Sequence, residues 1–442
     1  MKYSIFNFKS LIIAFTATAL LGISACEIDD IADPNGPSLE GVLTNASRSD
    51  LSLLVTGTES LMRQDLNFYY YTTGIIGRDW YYFTGADPRF TGELLGRENS
   101  VLDPAGFYGT RPYQGRYRTI KNCNILIQAV ENNSQRLSLT EGEIGGFLAF
   151  AQAIQAHELL IALNLQYQNG IRLDVSDPDN LGPFVSYTEG LTGIRSLLES
   201  AIDHLGHVGS DFPFALSPGF AGFDTPAAFG QFVNGLAARV ALYQGDKAAA
   251  RSFLQQSFID PAGDLGAGPA RFYSTASGEL INQIYESPNQ SEALVAHSDW
   301  VADLEAGDDR ASKIAARDPI SLDGLSGDYD VVVFASLSSP IHMIRNEELV
   351  LIRAEASIGS DNNAAVNDIN AIRTAHGLGN YAGATDDASL VNEVLHQRRY
   401  SLYAEGHRWI DMRRHGRLGE LAIDRPGDDV WEQMPRPVSE VD

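Results

Sequence analysis

The chain has 442 residues, 44% hydrophobic and 20% charged, enough apolar material for a sizeable core and incompatible with a disordered or fibrous protein. Its 57 acidic against 32 basic side chains, net −25, argue against binding a nucleic-acid backbone, which needs clustered Lys and Arg to release counterions. Two cysteines, Cys26 and Cys123, are too few for a disulfide-stapled scaffold.

At the N-terminus, Lys2 and Lys9 flank the start of an apolar run at 11–22, long enough for the core of an export signal and short of the roughly 20 residues that span a bilayer. The run ends Leu21-Gly22-Ile23-Ser24-Ala25-Cys26. An aliphatic residue followed by small residues and a cysteine resembles a bacterial lipoprotein signal. Residues 1–25 are read as that signal peptide and Cys26 as the lipidated N-terminus, so the exported chain is anchored to a membrane by acyl chains, each buried CH₂ contributing about 0.8 kcal/mol. Cys123 then lacks a partner and, in a helical setting, reads as an inert buried thiol. Residues 26–43, with Glu27, Asp29 and Asp30 ahead of Pro34, Gly36 and Pro37, form an expected acidic tether. An acidic patch directly after a lipidated cysteine is similar to the signal that sends some lipoproteins to the outer face of the outer membrane; a solvated linker without an address is the alternative.

Residues 44–258 read as a helical region interrupted by aromatic loops. Ile120, Ile125, Leu126 and Val130 mark one helix. After it, Thr140 at an N-cap precedes Glu143 in capping-box order, and Ile144, Phe147, Leu148, Ala151, Ile154, Leu159 and Leu163 continue at helical spacing to Gly170. Further helices are expected at 191–205, 226–244, 247–258, 346–358, 364–376 and 389–405. The junctions Gln244-Gly245-Asp246-Lys247 and Gly359-Ser360-Asp361-Asn362 both lead from a helix into alanines. Such helix–turn–helix units resemble tetratricopeptide repeats, so the expected fold is mainly α, a hairpin scaffold with long irregular loops and little β structure.

The stretches 66–116, 170–190, 208–226 and 259–340 are rich in Gly, Pro, Asp and aromatics, too long to be idle connections; 259–340 reads as a loop-rich insertion. Eight of the 17 residues at 67–83 are aromatic. Flat rings with a polar rim suit the faces of sugars, and charged or amide neighbours can bond hydroxyls. The candidate ligand residues are Arg78, Asp79, Trp80, Tyr81, Arg89, Tyr108, Tyr113, Tyr285 and Trp300, with Trp80 first; Arg111 and Tyr273 share the composition. No cofactor or metal is expected. His204 and His207 have no third ligand for zinc, and neither Asp174, Asp177 and Asp179 nor Asp323, Asp328 and Asp330 have the EF-hand spacing for calcium.

The final region, 341–442, holds the sharpest pattern: Gln397-Arg398-Arg399-Tyr400-Ser401-Leu402-Tyr403-Ala404-Glu405-Gly406-His407-Arg408-Trp409-Ile410-Asp411-Met412-Arg413-Arg414-His415-Gly416. It closely resembles the C-terminal hallmark of the SusD/RagB family, surface lipoproteins that partner TonB-dependent transporters in nutrient uptake. Arg345-Asn346-Glu347-Glu348-Leu349, Ile352-Arg353-Ala354-Glu355-Ala356, Asp368-Ile369-Asn370-Ala371-Ile372-Arg373 and the closing Met434-Pro435-Arg436-Pro437 resemble other recurrent segments of the family. Gln397 and Ser401 depart from it where acids are usual. By its spacing, Glu405, Arg408 and Asp411 share one helix face, with Arg398, Arg413 or Arg414 as partners, in a structural network. The resemblance implies a non-enzymatic lipoprotein on the outer membrane, facing the cell exterior, that captures oligosaccharides and delivers them to a SusC-like transporter. A peptide cargo, as in the RagB branch, is the alternative. A glycoside hydrolase is the alternative of another class, disfavoured because acids set between arginines stay ionised.

Overall fold

The structure is a computed structural model that describes residues 39–440. The expected signal peptide, Cys26 and tether residues 26–38 lie outside the described residues. Tether residues 39–43 are helical, within α1 (Leu39–Asn45), so the folded body begins before residue 44. Thirteen α-helices and eight short strands follow one another among the described residues.

After α1 come α2 (Arg48–Leu61), α3 (Leu66–Ile76) and β1 (Trp80–Phe83), then the long pair α4 (Phe107–Asn133) and α5 (Glu141–Gln166). The start of α5 follows from its local chemistry. The Thr140 hydroxyl accepts from the Glu143 N–H at 3.2 Å, and the Glu143 carboxylate accepts from the Thr140 N–H at 2.8 Å. Helix α5 is apolar on nearly every face because α4 and α6 (Tyr187–Leu205) pack on it, leaving no side for water. Between α5 and α6, β2 (Ile171–Arg172) pairs with β3 (Phe184–Val185). Cys123 is buried against this core, its thiol pushed up by burial.

The hairpins continue through α7 (Pro226–Tyr243) and α8 (Lys247–Leu254), and later through α10 (Asn346–Ser357) and α11 (Asn362–Ala375). The two similar junctions fold alike. Gly245 (φ 77°) and Gly359 (φ 87°) take left-handed backbone, and Asp246 and Asp361 then cap the next helix by accepting from Ala249 N–H and Ala364 N–H. Helix α8 packs on α10, so the two sets of hairpins form one array.

Residues 259–340, expected to be loops, contain most of a four-stranded antiparallel sheet. Its order is β1, β5 (Ala293–Ala296), β7 (Leu325–Val331), β6 (Ile314–Leu322). The β6–β7 hairpin turns at Asp323 (φ 57°) and Gly324 (φ 81°), a two-residue turn whose twist suits paired strands. A smaller sheet joins β4 (Ala270–Arg271) to β8 (Ile341–His342), and α9 (Ser298–Ala302) follows β5.

The helix expected at 389–405 ends early. α12 (Asp387–Ser401) stops, Ala404 (φ 68°) and Gly406 (φ 76°) turn the chain, and α13 (Arg408–Arg414) begins in a new direction. Glu405 therefore does not share a helix face with Arg408 and Asp411. It accepts from Arg345 at 2.7–3.1 Å, while Arg398 donates to Asp411 at 2.6 and 3.1 Å and Arg414 bridges Asp411 to Glu355. Arg408 stands outside these pairs, its pKa lowered by burial. Beyond α13 the chain returns to the first half. Met434 N–H donates to Leu165 C=O at 2.8 Å, Arg436 to Asn169 C=O at 2.6 Å and Val438 N–H to Pro104 C=O at 3.1 Å, and Arg172 pairs with Glu440 at 3.0 Å.

Candidate ligand-binding groove

Helix α3 lies over one face of β1, and side-chain alternation along the strand decides what reaches the surface. Trp80 and Tyr82 share that face. Trp80 points to the closed end, where Gly74 of α3 leaves room for the indole: a Cβ there would sit 2.4 Å from ring carbons Cε2 and Cζ2. The ring is fully buried and meets Tyr403 edge to face at 5.8 Å. Tyr82 points to the open end and stacks on Tyr71 at 4.8 Å.

From Tyr71 and Tyr82 a contiguous set of rings lines a groove of ≈ 800 Å³, within the range of small-ligand sites. Tyr82 meets Phe90 at 4.9 Å, Phe90 meets Phe107 at 5.3 Å, Phe107 meets Phe68 at 5.3 Å, and Phe68 meets Tyr71 at 6.2 Å. These rings come from α3, β1, the turn after it and the first turn of α4. Phe68 and Phe107 are half-buried, and Tyr71, Tyr82 and Phe90 are buried beside them, so Phe68 and Phe107 offer most of the ring surface on which a sugar can stack.

These contacts close the five rings into a cycle, with charge on opposite sides of it, at Phe68 and Phe107 and at Tyr82. The Arg111 guanidinium sits 5.0 Å over Phe68, and Arg89 sits 4.5 Å over Phe107 while holding Asp87. On the Tyr82 side, Glu292 accepts from the Tyr82 and Thr84 hydroxyls, both at 2.7 Å, and Glu286 lies 3.2 Å from the Tyr82 hydroxyl. Neither glutamate has a cationic partner among the described residues. Burial pushes the Glu286 carboxyl up, and Glu292 beside it acts in the same direction. The opposite wall is the 281–285 loop, fixed where Tyr71 donates to the Gln283 carbonyl at 2.7 Å.

Of the residues singled out from sequence, Arg89, Arg111 and Tyr285 line this groove. The others do not. Arg78 is buried and spends its guanidinium on the carbonyls of Ala422 and Asp429. Asp79 is buried with Oδ1 unpartnered, its carboxyl pushed up to about 7 by burial against the pull of Arg408 and Arg399. Trp80, Tyr81 and Trp300 are core rings, Trp300 packing between Tyr400 and Tyr403 at 5.0 and 4.4 Å. Tyr108 is buried with its hydroxyl on Glu93, and Tyr113 is buried against Tyr117 at 4.6 Å. Trp80, foremost among the sequence candidates, thus has no surface for a ligand. Reasoning from sequence did not single out Tyr71, Tyr82, Phe107, Glu286 or Glu292. The i, i+3 spacing of Phe68 and Tyr71 and the alternation of Trp80 with Tyr82 carried part of that information.

The acidic stretches are committed elsewhere. Asp174 and Asp177 accept from Ser176 N–H and Asp179 N–H two residues on, Asp323 pairs with Arg97 and Arg425, and Asp330 pairs with Arg317 at 2.6 Å. In the C-terminal network burial alone would raise the Asp411 carboxyl, but Arg398 and Arg414 hold it below the ordinary range, as Arg345 does for Glu405. A general acid needs the opposite shift.

Residues 335–434 match the sequence profile of the SusD family. No curated protein matches the chain. Among solved structures, a SusD superfamily protein from Bacteroides vulgatus ATCC 8482 is similar with a TM-score of 0.68 at 15% identity, over 90% of this chain and 97% of the other. The surface glycan-binding protein A from Bacteroides uniformis has a TM-score of 0.62 at 16% identity, over 85% and 90% of the two chains. A laminarin-binding SusD-like protein has a TM-score of 0.63 at 18% identity, over 89% and 97%. Residues 335–434 thus carry the SusD family signature, and the described chain has the fold of SusD superfamily structures.

Proposed function

We propose that this protein is a non-catalytic surface lipoprotein that captures oligosaccharides and delivers them to a partner TonB-dependent outer-membrane transporter. The observation that carries the reading is the groove: a floor of five contiguous rings, Phe68, Tyr71, Tyr82, Phe90 and Phe107, rimmed by hydrogen-bonding side chains. Stacking on ring faces and bonds to hydroxyls are how a neutral, hydrated ligand is held without net charge. Two similar folds, the glycan-binding protein from Bacteroides uniformis and the laminarin-binding protein, support the ligand class. The signal at 1–25 with lipidation at Cys26, the acidic tether after it and an outward-facing position on the outer membrane belong to the same reading.

One feature favours a second cargo. Arg111 on one side of the ring cycle and Glu286 with Glu292 on the other also suit the two charged ends of a short peptide. Calorimetry against oligosaccharide and peptide panels separates the two. Glycan binding that falls on Tyr82→Ala supports the first; peptide binding alone overturns it in favour of the second; hydrolysis of any oligosaccharide overturns the non-catalytic reading. Pulldown from outer membranes in mild detergent tests the partnership, which fails if no TonB-dependent barrel is recovered.

A further inference from the structure

The aromatic groove does not stand alone. Asp65, Asn67, Ile281, Asn282 and Gln283 line both it and a trough of ≈ 230 Å³, and Arg63 lines both that trough and a pocket of ≈ 270 Å³. The three concavities therefore run end to end from Tyr82 past Gln283 to Phe272. Apolar exposure follows the same line. Phe272 (37%), Ile281 (40%) and Leu337 (37%) are among the few large hydrophobic side chains exposed in the described chain, and all three line this run. On the other side the groove also adjoins a hollow through Thr84, but that one has no aromatic lining, and its Arg97 and Asp323 are paired with each other.

The far pocket is built for a ring with hydroxyls. Met62, Phe220 and Met343 form a buried apolar floor, and Phe272 stands at the edge with an open face. Glu59, half-buried, accepts from the Ser217 N–H at 3.1 and 3.3 Å, and burial pushes its carboxyl up. Arg63 donates through Nη1 to the Phe272 carbonyl at 2.7 Å and to Glu279 at 3.1 Å, while its Nε is buried without an acceptor. An aromatic face, a carboxyl with spare acceptor capacity and a donor lacking a partner converge on a space the size of a small ligand group.

We propose that this pocket, at Glu59, Arg63 and Phe272, is a second carbohydrate subsite, reached through the trough by the same chain that stacks in the aromatic groove. The inference rests on the oligosaccharide reading above, and it makes chain length the property selected: short oligomers fill the groove alone, longer ones gain the far contacts.

The test is calorimetry on the whole exported protein with graded oligosaccharides of two to eight units from β-1,3-glucan, β-1,4-glucan, α-1,4-glucan, xylan and mannan. Affinity for the preferred series should step up by about tenfold once the chain is long enough to reach Phe272, and Phe272→Ala and Glu59→Gln should each remove most of that step. Phe272→Trp provides an independent reporter: its emission should shift with long oligomers and stay still with short ones. Binding that does not improve beyond the length filling the groove, or a step that survives both substitutions, overturns the second subsite and leaves the oligosaccharide reading intact. Binding to none of the series at any length overturns that reading and the subsite with it.

Discussion

If Gly74 exists to admit the Trp80 indole, the two positions must be energetically coupled. Gly74→Ala should gain about 1 kcal/mol from helix propensity, but its methyl would lie 2.4 Å from Cε2 and Cζ2 and 2.9 Å from Nε1 of a fully buried ring. Such overpacking costs about 1–3 kcal/mol, and because the ring is boxed in by Tyr403 the upper end applies, for a net loss of about 2 kcal/mol. Trp80→Phe removes the part of the indole nearest Gly74. It sacrifices no hydrogen bond, since Nε1 has no acceptor, and should cost about 1–2 kcal/mol for the gap it leaves. In the double variant the alanine methyl occupies that gap, so the loss should shrink to about 1 kcal/mol, a favourable coupling of about 2–3 kcal/mol. Urea unfolding of the four proteins, followed by far-ultraviolet circular dichroism, measures the cycle. Losses that add within about 0.5 kcal/mol would refute the fit, and with it the account of why Trp80 is closed to ligand.

Three further outcomes follow from the same geometry. Arg111→Ala and Tyr82→Phe should weaken ligand binding about tenfold, and the exposed Arg111 should leave stability within about 0.5 kcal/mol; unchanged affinity in both would remove the groove as the site. Asp79 has its folded pKa raised to about 7 by burial, so its contribution favours the folded state at low pH and is lost as pH climbs from about 4 toward 7. Asp79→Asn should therefore raise the unfolding midpoint at pH 8 more than at pH 4, and equal effects would contradict the assignment. Glu348 has the reverse sign: burial alone would raise it, but Arg239 at 2.5–2.7 Å and His407 hold it at about 2. Its stabilisation, full above the unfolded value near 4.5, should fade as pH falls toward 2, and Glu348→Gln should flatten that acid limb of the stability profile.

Helix starts were legible from sequence because the groups that make them are neighbours: Thr140 with Glu143, Asp246 after Gly245, Asp361 after Gly359. Asp323-Gly324, a strong hairpin turn between Leu322 and Leu325, is the local signal of the sheet; the mixed polarity of the strands it joins hides the rest. The break after Ser401 was hidden because Ala404 takes left-handed backbone that no residue type announces. For the groove, aromatic density at 67–83 marked the right segment but not the right rings. Tyr82 and Trp80 differ only in which end of the strand stays open, and that is decided by Gly74, Tyr403 and the chain packed beyond them. The carboxyls of Glu286 and Glu292 meet Tyr82 from more than two hundred positions away, where no local pattern could announce them.

The return of the final segment onto Leu165, Asn169, Arg172 and Pro104 has a kinetic consequence. Early helices can pair as they leave the ribosome, but their exposed flank stays wet until residues 434–440 have been made and have found it. Closing so long a loop is slow, and the half-finished chain carries unsheltered apolar surface throughout that wait. The stretch that seals the first half is made only after every helix it covers.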